Sequence, residues 1–238
     1  MDETRNAKTI FITGTDTGVG KTFVSCALLR RLKTEGIKGC GFKPVASGCE
    51  RRREGLRNAD ALALQQAADT HEPYGLINPC AFEAAVAPHL AAKQADARIR
   101  VSDLREAHAQ LASRYELIVA EGAGGWRVPL DEAWTMAEFV AEQEWPVILV
   151  VGMRLGCINH ALLTADAITR GTTLLGWVAN VLPPEQPALV GNIETLQSHL
   201  SAPLLGVIPA HADMHVAGAA LDKQPVLSLL RGAAPSER

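Results

Sequence analysis

The amino-acid sequence predicts one doubly wound α/β domain, a mostly parallel sheet with helices on both faces. Three observations carry that expectation. Short aliphatic runs alternate with longer amphipathic stretches along most of the chain. Several of the short runs, such as Leu117-Ile-Val-Ala120 and Val147-Ile-Leu-Val-Val151, are apolar at every position. That is the pattern of strands buried on both faces in a parallel sheet, since a half-exposed strand alternates. At 238 residues and 47% hydrophobic content the chain also has the length and apolar material for a single core of this class, which excludes wholesale disorder.

Strands are expected at Thr9–Thr13, Ile37–Phe42, Glu116–Ala120, Pro146–Val151, Leu174–Asn180 and Leu204–Ile208. Helices are expected at Thr22–Glu35, Asp60–Ala68, Ser102–Ser113, Thr135–Gln143, Ile158–Arg170 and Pro187–Leu200. Ser102, with Arg105 and Glu106 behind it, is placed to cap its helix, and Gly36 and Gly171 stand where helices should stop. Such alternation makes βαβ units and covers both sheet faces. The least regular stretches are Lys43–Arg57, His71–Pro88 and Gly122–Trp134. Loops leaving the C-terminal ends of strands collect the ligand in this class. Residues 1–238 read as one domain, with residues 1–8 and about 228–238 loosely ordered because they are polar and terminal.

Charge and composition exclude several classes of function. Lys and Arg number 23 against 26 Asp and Glu, and only 5% of residues are aromatic. Neither a basic footprint for nucleic acid nor a base-stacking surface is evident. No run approaches the ~20 apolar residues of a membrane span, and the polar first residues lack the apolar core of a secretory signal. Five cysteines without C-x-x-C spacing read as free thiols of a reducing compartment, so a cytoplasmic location is expected.

The strongest motif follows the first strand. Gly14-Thr-Asp-Thr-Gly-Val-Gly-Lys-Thr22 leads into a helical pattern. Its end, Gly20-Lys21-Thr22, fits a phosphate loop: backbone N–H groups cradle phosphate, Lys21 reaches the terminal phosphate oxygens and the Thr22 hydroxyl ligates Mg²⁺. The helix N-terminus adds unpaired donors and a positive dipole end. Against the strict pattern, Thr15 stands where the first glycine belongs and Gly14 comes one residue early. An ordinary glycine-rich βα turn is the alternative.

Three further residues gather around this motif. Glu121, at the end of a buried apolar strand and before Gly122-Ala-Gly-Gly125, can face Thr22 and complete a Mg²⁺ shell, or it can be a solvated turn residue. Asp60 reads equally as a second Mg²⁺ carboxylate or as the N-cap of its helix. Lys43 leaves the second strand at the same sheet edge. Pro44 restricts its backbone, and its charge is either solvated or available where a phosphoryl group is transferred.

Taken together these segments resemble the dethiobiotin synthetase family. The resemblance is carried by residues 14–22, Lys43-Pro-Val-Ala-Ser-Gly48, Leu56-Arg-Asn-Ala-Asp60, Glu121-Gly-Ala-Gly-Gly-Trp126, Leu155-Gly-Cys-Ile-Asn-His160 and Gly176-Trp-Val-Ala-Asn180. They occur in the family's order, and the early glycine of the phosphate loop is a family trait. The resemblance implies a P-loop nucleoside-triphosphatase fold and an ATP-dependent ligase of biotin biosynthesis. Such an enzyme turns 7,8-diaminononanoate, CO₂ and MgATP into dethiobiotin, ADP and phosphate, through a carbamate and a carbamic–phosphoric anhydride.

Carried over by position, the resemblance makes Thr17, Lys21 and Lys43 catalytic and puts Ser47 on the substrate. Thr22, Asp60 and Glu121 would hold Mg²⁺. ATP would lie along Gly18, Val19, Gly20, Lys21, Thr22, Phe23, Asp60, Glu121, Gly122, Ala123 and Gly124. Its base would sit near Asn180 and Val181 and the loop Pro209-Ala210-His211. Some relatives have Glu where Gly18 stands, so Gly18 keeps a backbone role only. Gly156, Cys157, Ile158 and Asn159 would bind the substrate's tail carboxylate at the interface of a homodimer. Residues alone make that stretch a helix start, with Asn159 as a cap.

Other signals point to bland roles. His211-Ala-Asp-Met-His215 lacks the further ligands of a metal site. Arg51-Arg-Arg53 is bracketed by Glu50 and Glu54, as a solvated run would be. The four tryptophans read as packing residues. A partitioning-type regulatory ATPase would need a basic surface or an amphipathic anchor, neither of which the chain has. A glutamine-dependent amide-forming ATPase would need a glutaminase domain for which there is no room.

Overall fold

The computed structural model describes residues 7–184 and 186–232. From the N-terminal end, β1 (Lys8–Gly14) feeds α1 (Lys21–Lys33) and then β2 (Gly39–Phe42). Short strands β3 (Val45–Ala46), β4 (Glu50–Arg52) and β5 (Gly55–Arg57) precede α2 (Ala59–Ala68), α3 (Tyr74–Ile77), β6 (Cys80–Ala81) and α4 (Pro88–Gln94). Next come α5 (Val101–Ala112), β7 (Leu117–Glu121), α6 (Met136–Glu142), β8 (Val147–Met153) and α7 (Cys157–Thr169). The described chain closes with β9 (Leu174–Val181), α8 (Leu189–His199), β10 (Leu204–Ile208), α9 (Met214–Ala220) and α10 (Gln224–Leu230).

Six strands form the main sheet in the order β10-β9-β8-β1-β7-β2, and every pairing in it is parallel. This is the doubly wound P-loop architecture that the alternation predicts. Alternate residues serve opposite layers. Ile10, Ile12, Leu117, Val119, Ile148 and Val150 pack with α1, α2 and α9 on one face. Phe11, Phe42, Ile118, Ala120, Leu149 and Trp177 pack with α5, α6 and α7 on the other. β7, β8 and β9 are buried at every position.

Several expectations are corrected by local chemistry. Ser102 does not cap α5: that helix begins at Val101 with Arg100 at the cap position, and the Ser102 hydroxyl donates to Asp103. Asn58, not Asp60, caps α2, its side chain accepting from the Ala61 N–H at 3.2 Å, so the Asp60 carboxylate is free for other work. Gly156 occupies the cap position of α7, so Asn159 lies inside the helix. The irregular stretch after β2 holds the exposed β4–β5 hairpin, which carries Arg51 and Arg52 and pairs them with Glu83 and Glu50. It also holds β3, which pairs with β6 and so anchors the segment bearing Lys43 and Ser47. Asp213 caps α9, which spends its carboxylate on the Val216 N–H.

Ordered structure reaches further toward both ends than polar composition suggests. Lys8 already pairs with Leu117, and α10 continues to Leu230 because Val226 and Leu227 are buried. The rest of the segments expected to be loose, residues 1–6 and 233–238, lies outside the described residues. Among the described residues no helix is long and apolar enough to cross a membrane.

One half-buried histidine sets a pH limit on this fold. His108 lies beside Trp145, ring centroids 4.5 Å apart, with Nε2 and Thr9 Oγ1 2.8 Å apart. Burial pushes its pKa from 6.5 down to about 4. Between those values the unfolded chain binds a proton that the folded chain refuses, so stability falls as pH drops below 6.5. This group should cost about 2 kcal/mol between pH 7 and pH 5. Urea unfolding at the two pH values measures it, and the loss should shrink by that amount in His108→Gln.

Candidate active site

Three strand exits build the site at one edge of the sheet. β1 ends in the phosphate loop, β7 ends in Glu121, and β2 ends beside Lys43. β7 lies between β1 and β2, so Lys43 reaches the site across the end of β7. A cavity of about 910 Å³ opens here, lined by Thr17, Gly18, Gly20, Lys21, Thr22, Phe23, Lys43, Ser47 and Asp60, and by Ala123 and Gly124. Its far wall, Ala85-Val86-Ala87-Pro88 with Val128, is apolar. Sequence reasoning had no signal for that wall, because it comes from a segment without periodicity.

The polar floor is a compact charge cluster. Lys43 Nζ donates to Glu121 Oε1 at 2.6 Å, to Asp60 Oδ2 at 3.0 Å and to the Gly122 carbonyl at 3.2 Å. Thr22 Oγ1 donates to Glu121 Oε1 at 2.8 Å. Glu121 is fully buried and its other oxygen, Oε2, has no hydrogen-bond partner. Burial alone would lower the Lys43 pKa, but the carboxylates of Glu121 and Asp60 outweigh it and hold the ammonium above its ordinary value. For Asp60, burial is likewise outweighed by Lys43, and its pKa falls below the usual carboxylate value. Lys21 has no such surplus of partners: burial and the nearby Lys43 charge bring it down to about 8.

The orphaned Glu121 oxygen, the Asp60 carboxylate and the Thr22 hydroxyl are hard oxygen donors that suit Mg²⁺. Such an ion normally takes one or two carboxylates and completes its shell with water and phosphate. No group of three or more Asp, Glu, His or Cys side chains able to hold a metal exists among the described residues. The donor set therefore fits an ion that arrives with a nucleotide better than a permanently caged one.

Sequence reasoning missed the struts around this cluster. Asn78 Nδ2 donates to the Lys43 carbonyl at 2.7 Å and the Lys43 N–H donates to the Ile77 carbonyl at 2.7 Å, which fixes the root of the side chain. Asn78 is 35 positions away, a pairing no local pattern announces. The phosphate loop is braced by Asp16, which accepts from the Thr17 N–H at 2.7 Å and pairs with Arg154. Those bonds, the Thr17 N–H first, lower the Asp16 pKa. The Asp16 carbonyl holds Lys21 Nζ at 2.9 Å. Gly18 has φ 73° with open space around it, so only its left-handed backbone calls for glycine. Gly20, at φ 94°, has no room either, since a Cβ there would meet Asn180 Nδ2 at 2.2 Å.

Asn180 is thus a neighbour of the phosphate loop itself. It is buried near the end of β9, and its Nδ2 donates to the Val19 carbonyl at 2.9 Å. Ile208, opposite Asn180 in the β9–β10 pairing, precedes the loop Pro209-Ala210-His211, so Asn180, Val181 and this loop share one edge. They do not line the cavity, and neither do Gly156, Cys157, Ile158 and Asn159. The latter open α7 beside an almost wholly exposed Leu155 (96%), just after the Arg154 that braces Asp16. Replacing Asn180 with Ala strands a buried carbonyl and frees the loop. ADP affinity should fall by roughly 1–3 kcal/mol; calorimetry showing an unchanged Kd would remove Asn180 from the nucleotide site.

Comparison with known proteins identifies relatives of this chain. The family described as AAA domain matches residues 8–216. The ATP-dependent dethiobiotin synthetase BioD of Cellvibrio japonicus is 48% identical over 223 residues, covering 92% of this chain and 98% of that one. Its namesake in Pseudomonas paraeruginosa is 46% identical over 220 residues, 91% and 96% of the two chains. BioD 1 of Escherichia coli O157:H7 is 46% identical over 204 residues, 85% and 91% of the two. Among solved structures, the signal recognition particle receptor FtsY of Elizabethkingia anophelis superposes with TM-score 0.48 at 18% identity, over 96% of this chain and 68% of that one. With nearly half its residues identical to these synthetases across almost their whole length, the chain belongs to the ATP-dependent dethiobiotin synthetase family.

Proposed function

We propose that this chain closes the cyclic urea of dethiobiotin from 7,8-diaminononanoate and CO₂ at the expense of ATP, as a homodimer whose substrate sites lie at the subunit interface. One amine captures CO₂ as a carbamate, the carbamate oxygen attacks the γ-phosphorus of ATP, and the second amine displaces phosphate from the resulting anhydride. The observation that carries this reading is the cluster of buried Lys43 and Glu121 with half-buried Asp60 and Thr22, facing a cavity that also holds the phosphate loop.

The difficulty of the reaction is electrostatic, because an anionic carbamate must approach an anionic phosphate. Lys21 and Lys43, both buried, supply positive charge on either side of the transfer point. Backbone N–H groups of Gly18, Val19 and Gly20 would cradle the phosphates, the role read from their place at the N-terminus of α1. Thr17 and Ser47, both on the cavity wall, would orient the carbamate and the free amine. Mg²⁺, held by Thr22, Asp60 and Glu121, would neutralise phosphate charge. The apolar wall at Ala85–Pro88 suits the alkyl chain of the substrate. Holding both nitrogens over one carbon then makes ring closure an intramolecular step.

Support for the dimer comes from the stretch at Gly156. It lies outside this chain's own cavity, no side chain caps its helix N-terminus, and Leu155 beside it is exposed. A second copy can bring that terminus to the tail carboxylate of the substrate in the first.

Purified protein mixed with 7,8-diaminononanoate, bicarbonate and MgATP should yield dethiobiotin and ADP in equal amounts by mass spectrometry; ADP without dethiobiotin would defeat the proposal. Lys43→Gln should lower turnover by roughly 10³-fold. It should also lower stability by about 3–5 kcal/mol, because Glu121 and Asp60 lose their buried counter-ion. Turnover near that of the parent would take Lys43 out of the mechanism.

A further inference from the structure

All three donors of the Lys43 ammonium are spent on groups of the protein, and two of its acceptors are the carboxylates read above as metal-holding. One cation therefore already sits where a second would have to bind. Glu121 Oε1 takes hydrogen bonds from both Lys43 and Thr22, while Oε2 takes none. The lysine engages only one oxygen of a fully buried carboxylate, which leaves the other for a further ligand. A divalent ion on the same carboxylates would stand close to the ammonium, and like charges at such range repel.

The root of the side chain cannot yield. The Lys43 N–H is bonded to Ile77, its carbonyl to Asn78, and the neighbouring β3–β6 pairing fixes Val45 and Ala46. Movement is left to the flexible side chain, and the one open direction is the cavity that Lys43 lines with Thr17, Lys21 and Ser47.

We propose that Lys43 is the resident counter-ion of the metal site: it holds Asp60 and Glu121 in the empty protein and is released into the cavity when a metal–nucleotide complex takes those carboxylates. This rests on the reading of Thr22, Asp60 and Glu121 as metal-holding residues and deepens it. Free divalent ion alone competes poorly with an ammonium that is already bonded. Nucleotide tips the exchange, because its phosphate oxygens add ligands to the ion and a new partner for Nζ. Charge then reaches the transfer point only after the metal is in place.

Mn²⁺ is the probe, its free form counted by electron paramagnetic resonance. Without nucleotide, Lys43→Met should bind one Mn²⁺ per chain at least ~10-fold more tightly than the parent, because a competing charge has gone. With ADP present the two affinities should converge. Equal affinities of the two folded proteins without nucleotide would overturn the counter-ion role, and the metal residues would still stand if both bind Mn²⁺ with ADP. Failure of both to bind Mn²⁺ even with ADP would overturn the metal reading too. Lys43→Met leaves two carboxylates unpaired and can lose its fold, so the parent protein supplies a second readout. Its Lys43 ammonium resonance in ¹⁵N-lysine spectra, assigned by its loss in Lys43→Arg, should stay fixed on adding Mg²⁺ alone and shift on adding MgADP. A resonance unmoved by MgADP rejects the proposal.

Discussion

In-step parallel pairing of β1, β7 and β2 is the constraint from which the site follows. Ile12 stands opposite Glu121, and Phe42 opposite Ala120, so the three chain exits open at one level. The register cannot drift. Neighbouring positions on each strand serve opposite apolar layers, and a slip of one residue would send Phe11 and Phe42 into the layer filled by Ile10 and Ile12. Hydrophobic packing thereby sets the spacing of charged groups that make no hydrophobic contact at all. Lys43 meets Glu121 because Phe42 is buried one residue earlier.

The same logic joins the two halves of the nucleotide site. β9 lies two strands from β1, with β8 between them, yet Asn180 reaches the phosphate loop through the Val19 carbonyl. Only glycine at position 20 leaves room for that amide. A side chain near the end of β9 is thus mechanically continuous with the backbone that would hold phosphate. On the other flank, Arg154 pairs with Asp16 just ahead of the α7 terminus. Exposed pairs of this kind add little stability; its effect is to fix the shape of an otherwise exposed loop.

β7 and β8 were legible because burial on both faces leaves a nearly unbroken apolar run, and the phosphate loop was legible because its chemistry needs fixed residues at fixed spacing. Asp60 shows where reading stops. Asp and Asn are both good caps, and only the folded chain reveals that Asn58 takes the task. The surroundings of Lys43 were hidden for a different reason. Its partners Asp60, Asn78 and Glu121 lie 17, 35 and 78 positions away, and a lysine in a sequence carries no mark of being buried. Of the 7-residue helices α6 was read but α9 and α10 were not, since two turns leave an amphipathic period only weakly marked. The apolar wall at Ala85–Pro88 escaped because its backbone is irregular.

Charge balance explains how so polar a cluster survives beside the core. Lys21 and Lys43 face Asp60 and Glu121, two positive groups against two negative, so little net charge is withdrawn from water. The balance is uneven within itself. Lys43 is held between both carboxylates, while Lys21 bonds only the Asp16 carbonyl and has its pKa lowered to about 8. An arriving phosphate therefore meets one lysine that lacks an anionic partner and one that is fully engaged. Lys21 gains an anion at once. Lys43 must first be given up by Asp60 and Glu121, which can part with it only for another cation. The lysine without an anionic partner is thus the first to meet phosphate, and the second is kept in reserve by its neighbours.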